Sequence, residues 1–353
     1  MENPDPTAPY QGDANLDRLL KMAGSRFDAA GMRQLLAGLI AAPKAVDPNA
    51  WMAIAAETID PELELQLGAF RAQAEAVILN SGASGEETME SRLQRFRDEL
   101  KRRKLDGFIV PHSDEHQGEY IALRSERLAW LTGFTGSAGL AVVLGDSAAI
   151  FVDGRYTIQA AREADGRLFE FIHLTDDPPA EWIAANLKPK ARLGFDPWLH
   201  TPDQVKRYRT GCEKAGAELT ASKENPVDAV WMDQPPEPVA PVVPHAIVFA
   251  GRSSTEKRGQ IAAVLRQEKQ DSAILSAPDS IAWLLNIRGG DVPYSPLALC
   301  FAVIHSDASV ELFIDPSKLT PGLGEHLGEG VAVEPPQALA GVLKRMGDQC
   351  RRV

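Results

Sequence analysis

Two histidines four residues apart, with two carboxylates between them, make Pro111-His112-Ser113-Asp114-Glu115-His116 the stretch whose residue types come nearest to a metal-binding pattern. On a helix, imidazoles at i and i+4 share a face and can reach one divalent ion. The stretch follows an apolar strand-like run and a proline, however, so a loop is expected there. Loop histidines need not converge, and hydrogen bonding within the loop or against a partner surface is the better expectation for His112 and His116. His173, His200, His245, His305 and His326 stand alone and read as satisfied core or surface residues.

Other chemistries find less support. Gly136-Ser137-Ala138-Gly139 superficially resembles a nucleophile elbow, but its order is shifted and no His/Asp pair is identifiable beside it. A phosphate cradle places its glycines after a strand and before a helix, whereas those of 132–139 precede a strand, so a tight turn is predicted. Asp153-Gly154-Arg155-Tyr156 lies where a strand gives way to a helix. There Asp153 can cap the helix while Arg155 faces a carboxylate, with a substrate-facing role as the alternative. Arg288-Gly289-Gly290-Asp291-Val292-Pro293 reads as a strained loop with an Arg288–Asp291 pair, and no nearby cluster completes a catalytic site.

The elements that must position these residues follow from periodicity. The 353 residues predict two or three domains. Residues 1–88 are read as a helical extension plus linker: Leu16, Leu19, Leu20 and Ala23 share one face, Met32, Leu35, Leu36, Leu39 and Ile40 another, and a further helical signal, Leu63, Leu65, Leu67, Phe70, Ala74 and Val77, follows Pro61. From Met89 the pattern alternates. Helices are predicted at 90–103, 157–164, 179–187 and 202–215, the last with Thr201 as N-cap and Pro202 at the first helical position. Strands are predicted at 107–110, 140–144, 149–152, 168–173, 193–195 and 217–220. A Pro-rich connector at 234–245 separates this unit, 89–233, from a second at 246–353.

Composition narrows the function classes. The net charge of −12 argues against a generic nucleic-acid binder, and 1–88 alone carries 6 basic and 13 acidic residues. Cys212, Cys300 and Cys350 are too sparse for a disulfide framework or a cysteine zinc site, which fits a reducing cytoplasm. No export signal or membrane-spanning run is visible.

The second unit repeats the first. Ile281-Ala282-Trp283-Leu284-Leu285-Asn286-Ile287 echoes Leu128-Ala129-Trp130-Leu131-Thr132-Gly133-Phe134, and Phe313-Ile314-Asp315-Pro316 echoes Phe151-Val152-Asp153-Gly154. Helices at 255–267 and 337–345 and strands at 272–276, 299–304, 310–314 and 331–333 complete the comparison. Arg351-Arg352-Val353 then corresponds to Arg192-Leu193 entering a strand. The first unit continues there with a helix and a further strand, so the second is expected to be cut short, with an uncovered sheet.

Asp114–Tyr120, 131–139, Asp153–Tyr156, Glu224–Trp231 and Asp279–Asp291, in this order and spacing, resemble the long, three-domain Xaa-Pro aminopeptidases (aminopeptidase P) across 89–353. The resemblance implies an α/β fold: two tandem creatinase N-terminal-like (ribonuclease H-like) domains, the second incomplete, preceded by the small all-helical extension. Chemistry in that family resides in a C-terminal pita-bread domain, where two Asp, one His and two Glu hold a pair of divalent ions, usually manganese. None of those ligands maps onto this chain, so no catalytic or metal-binding residue is expected in it and the chain alone is expected to be inactive. The resemblance implies that the first domain restricts access to Xaa-Pro peptides and supports a homodimer in the cytoplasm, without membrane or nucleic acid. His116, Glu119, Tyr120, Phe134, Thr135 and Arg155 are the matching access or interface candidates. The rival expectation is a stand-alone pseudo-peptidase binding module that kept the scaffold and lost catalysis.

Overall fold

The computed structural model describes residues 12–25, 29, 31, 32, 63, 64, 66, 67 and 88–353, and the chain divides into two compact units, Met1–Thr88 and Met89–Val353. In the first, helix α1 (Asp13–Met22) buries Leu16, Leu19 and Leu20, the face their spacing predicts. Met32, Leu63 and Leu67 are also buried. The remaining apolar positions predicted at 35–40, 65 and 70–77, and the linker at 80–87, lie outside the described residues.

The second unit begins with α2 (Met89–Arg102), β1 (Gly107–Pro111), α3 (Arg127–Thr132), β2 (Gly139–Leu144), β3 (Ala148–Val152) and α4 (Thr157–Glu163). It continues with β4 (Glu170–His173), α5 (Pro179–Asn186), β5 (Arg192–Phe195), α6 (Pro202–Lys214) and β6 (Glu218–Ala221). Six strands form one sheet in the order β4-β3-β2-β1-β5-β6. Strand β2 runs antiparallel to both β1 and β3, while β4 joins β3, β5 joins β1 and β6 joins β5 in parallel. A strand covered on both faces needs an unbroken apolar run rather than alternation, and the buried Gly107–Pro111 supplies one at the sheet centre.

Helices α2 and α3 cover one face, packing Leu93, Phe96, Trp130 and Leu131 on Val110 and Val143. Helices α5 and α6 cover the other, with Trp182, Ile183, Tyr208 and Cys212 packed on Ile109 and Leu193. The predicted cap of α6 forms in full: Thr201 Oγ1 accepts from the Gln204 amide and Gln204 Oε1 accepts from the Thr201 amide. After β6 the chain returns to the α2/α3 face, where Val227 is fully buried and Trp231 stacks on Trp130 with ring centroids 5.6 Å apart. Arg127 holds this return with two bonds to Asp228, at 2.7 and 2.9 Å.

The remaining elements are β7 (Val243–Pro244), α7 (Ile247–Ala250), α8 (Ser254–Gln267), β8 (Ser272–Leu275), α9 (Pro278–Leu285) and β9 (Ile287–Arg288). Then follow β10 (Phe301–His305), β11 (Val310–Phe313), α10 (Leu323–Leu327), β12 (Val331–Glu334) and α11 (Ala338–Asp348). The sheet order β12-β11-β10-β8 reproduces β4-β3-β2-β1 with the same pattern of parallel and antiparallel pairs. Among the described residues β8 pairs only with β10, where β1 has a neighbour on each side. The Pro-rich connector is extended but packed: β7 pairs with β9, and Val242 is buried in a bridge to Leu319.

Candidate functional site

The loop that leaves β1 holds both histidines of the metal-like pattern, and it is irregular, as the preceding proline predicts. Asp114 Oδ1 accepts from the His116 and Gly118 amides at 3.0 and 3.2 Å, closing the loop on itself. The two imidazoles do not converge on a common ligand. His116 is buried; its Nδ1–H donates to the Ser276 carbonyl at 2.9 Å, and its ring stacks on Phe301 at 4.4 Å. It therefore joins the first α/β domain to the second. His112 lies with Nε2 3.4 Å from the Glu119 carbonyl oxygen and Nδ1 3.7 Å from the Glu126 carboxylate. Among the described residues no group of three His, Cys, Asp or Glu side chains is placed to hold a metal ion.

The other sequence candidates divide by exposure. Glu119 is exposed, and Tyr120 is 53% exposed with its ring edge-on to Tyr294 at 6.3 Å. Arg155 is exposed and bound to Asp153 at 2.8 Å, with its guanidinium 5.1 Å from the Tyr156 ring centre. The Asp153 pair, and more weakly the Glu119 carboxylate, raise the Arg155 pKa, so Glu119 and Arg155 share one patch. Asp153 also accepts from the Arg155 amide, and α4 has no side-chain cap; the corner is structural, but it is held by an ion pair rather than a cap. Thr135 is exposed and gives its amide and hydroxyl to Glu163 at 2.8 and 3.0 Å. Phe134 is buried at the foot of the glycine turn against Tyr156. A Cβ on Gly136 would lie 2.2 Å from the Phe134 ring, which is why the turn needs glycine there.

Several residues in this region were not legible as site residues. Burial raises the Glu126 carboxyl to about 7 and lowers the pKa of His112 beside it. Asp196, raised by burial, accepts from the Trp198 amide and from Asn225, both at 3.0 Å. Trp198 is half exposed and lies 6.2 Å from Phe301. Asn225 belonged to a recognised motif, but its partner is 29 residues away and no local spacing announces it. His200 was expected to be a satisfied residue; it is buried, with its pKa pushed down to about 4 by burial, but neither ring nitrogen has a hydrogen-bond partner, so that expectation fails.

One pairing differs from expectation. Arg288 does not meet Asp291: its guanidinium donates to the Ala282 and Ile287 carbonyls near the end of α9. Asp291 instead binds Lys318 at 2.8 Å in a buried ion pair and accepts from the Ala240 and Leu299 amides. Carbonyls at a helix C-terminus attract a cation, and Lys318 arrives at Asp291 from the turn after β11.

Glu126, its carboxyl raised to about 7 by burial, lies beside His112, and the loop presents Glu119 and Tyr120 outward near the exposed Arg155. The nearby hydroxyls are not activated: Ser113 donates to the Leu199 carbonyl and Ser137 bonds Tyr156.

Comparison with known proteins adds the family. Two family models described as Creatinase/Prolidase N-terminal domain match residues 92–229 and 233–352. A protein named Probable Xaa-Pro aminopeptidase P from Coccidioides posadasii is 38% identical over 257 residues, 72% of this chain and 42% of that protein. Its namesake from Ajellomyces dermatitidis is 38% identical over 247 residues, 69% of this chain and 40% of its own length. The chain thus spans about two fifths of the length of the curated relatives it matches. The crystal structure of X-prolyl aminopeptidase from Caenorhabditis elegans, described as a cytosolic enzyme with a di-nuclear active site, aligns at TM-score 0.69. That alignment is 28% identical and covers 75% of this chain and 46% of the other. No helix among the described residues is long and apolar enough to cross a membrane. With two adjoining matches between residues 92 and 352, the chain belongs to the creatinase/prolidase N-terminal domain family and carries that domain twice in tandem.

Proposed function

We propose that residues 89–353 are the non-catalytic N-terminal part of a metal-dependent Xaa-Pro aminopeptidase, which releases an N-terminal residue preceding proline. The observation that carries this reading is the tandem of creatinase/prolidase N-terminal domains, aligned over three quarters of the chain with an X-prolyl aminopeptidase. Hydrolysis falls to a separate catalytic domain that binds two divalent ions, manganese for preference. The donors at 112–116 do not fit such a centre: His116 Nδ1 is committed to Ser276 and Asp114 Oδ1 to two amides.

In this reading the present residues shape access for short Xaa-Pro peptides and support a cytoplasmic homodimer, with no role for nucleic acid or membrane. Glu119, Tyr120 and Arg155 meet the peptide or the second subunit, Thr135 flanks them, and His116 and Phe134 support them from beneath. The purified chain, given an Xaa-Pro-Pro peptide and manganese, is expected to release no N-terminal residue, and metal-dependent turnover would overturn the assignment. Sedimentation velocity tests the dimer separately.

A further inference from the structure

Three cations, Arg252, Lys257 and Arg288, meet where α8 begins and α9 ends. Asn286, which closes α9 in the left-handed region at φ 53°, ties them together. Its Oδ1 accepts from Lys257 Nζ at 2.7 Å, its Nδ2 donates to the Arg252 carbonyl at 2.8 Å, and Arg288 follows two residues on. The side-chain bonds of all three go to neutral groups. Arg252 donates to Gln260 Oε1 at 3.0 Å, Lys257 also to the Trp283 carbonyl at 2.9 Å, and Arg288 to the Ala282 and Ile287 carbonyls. The acids close by in the chain are committed elsewhere. Glu256 accepts from the Ser253 amide and hydroxyl, both at 2.8 Å, with Arg252 the weakest influence on its carboxyl, and Asp291 is paired with Lys318.

This positive charge exceeds what the fold uses. A helix C-terminus carries only about half a negative charge, and the Asn286 carbonyl at this one is already taken by the His245 amide at 2.7 Å and His326 Nε2 at 2.8 Å. The start of α8, within about a turn of Arg252 and Lys257, is a positive end in its own right. Lys257 is 2% exposed, and desolvation, Arg288 and Arg252 lower its pKa; desolvation, Arg288 and Lys257 lower that of His245. In a chain of net charge −12, cations left to repel one another mark a place for an anion. Ser254 is an independent sign. It lies three residues before Lys257 on the same face of α8, and it is buried with no hydrogen-bond partner for its hydroxyl. A buried donor left unpaired is costly, and an oxygen of a bound anion would satisfy it.

We propose that the start of α8 and the end of α9 form a binding site for a phosphate group. The exposed Arg252 and half-buried Arg288 guanidiniums grip its oxygens from either side, Lys257 supplies charge from beneath, and the Ser254 hydroxyl donates to it. A planar guanidinium matches two oxygens of such an anion at once, and the N-terminal end of α8 adds to the attraction. Three positive charges suit a dianion better than a single carboxylate. The inference rests on this cluster alone and stands whether or not the peptidase reading does.

The test titrates inorganic phosphate into the full chain against sodium chloride of equal ionic strength, with binding read by phosphorus NMR and by the melting temperature. At about 10 mM, phosphate is expected to raise the melting temperature by about 2–4 °C over chloride, and acetate by about half as much or less. Arg252→Gln, at an exposed position, and Arg288→Gln are each expected to weaken binding about tenfold. Arg252→Lys is expected to weaken it less, and Arg209→Gln, on α6 of the other domain, not at all. O-phosphoserine identifies the source: binding tighter than that of inorganic phosphate puts the group on a larger ligand, while equal or weaker binding leaves the free ion, and either result sustains the site. A phosphate effect no greater than that of chloride overturns the proposal. So does an effect undiminished in both Arg252→Gln and Arg288→Gln, because the ion then binds elsewhere.

Discussion

Glu126 shows how burial sets the behaviour of a single residue. Its carboxyl releases a proton near 4.5 when unfolded and holds it to about 7 when folded, because water is excluded from it. The folded state binds the extra proton across that window. This contribution to stability is therefore full at pH 4 and falls as pH rises to 7, by on the order of 3 kcal/mol. His112 acts oppositely: its lowered folded pKa gives stability that is lost on acidification below 6.5. Glu126→Gln removes only the first effect, so the variant is expected to gain stability over the parent between pH 5 and pH 8 in urea titrations. An unchanged difference across that range would show that the Glu126 carboxyl is not held protonated. The burial of Glu126 was not legible in the sequence, since its neighbours in chain order do not reveal the closure of the loop above it.

At the scale of elements, local rules performed well wherever the physics is local. The α6 cap, the face of α2 and the central β1 run depend on residues within a few positions of each other, so periodicity and spacing suffice to place them. The glycine turn is equally local, and Gly136→Ala forces a Cβ into the Phe134 ring. That substitution is expected to cost about 1–3 kcal/mol, whereas Gly145→Ala, with open space around it, should leave the melting temperature nearly unchanged. The Asp291 loop is different, because its partner Lys318 is 27 residues on. Breaking that buried pair by Lys318→Ala strands a carboxylate and is expected to destabilise by about 3–5 kcal/mol, read as a drop in the denaturant midpoint. The mistaken Arg288–Asp291 expectation came from proximity in sequence, which says nothing about which cation a fold delivers.

Over the molecule as a whole, His116 is the informative residue, because it belongs to one α/β domain and bonds the other through Ser276 and Phe301. His116→Ala removes both the hydrogen bond and the stack. The parent residues 89–353 are expected to unfold in one calorimetric transition and the variant in two, with little change in the far-ultraviolet signal; a single, merely shifted transition in the variant would show that other contacts couple the domains. The sequence by itself determined the alternation of elements, the duplication of the α/β domain, and the resemblance carried by its motifs, because each is a pattern along the chain. Only the tertiary structure decided that His116 bonds Ser276 and stacks on Phe301 across the two α/β domains, that Phe134 lies in the core, and that Trp283 stands exposed where Trp130 is covered. Those outcomes depend on which distant groups meet when the sheets close, and burial, pairing and pKa are properties of that meeting rather than of residue order.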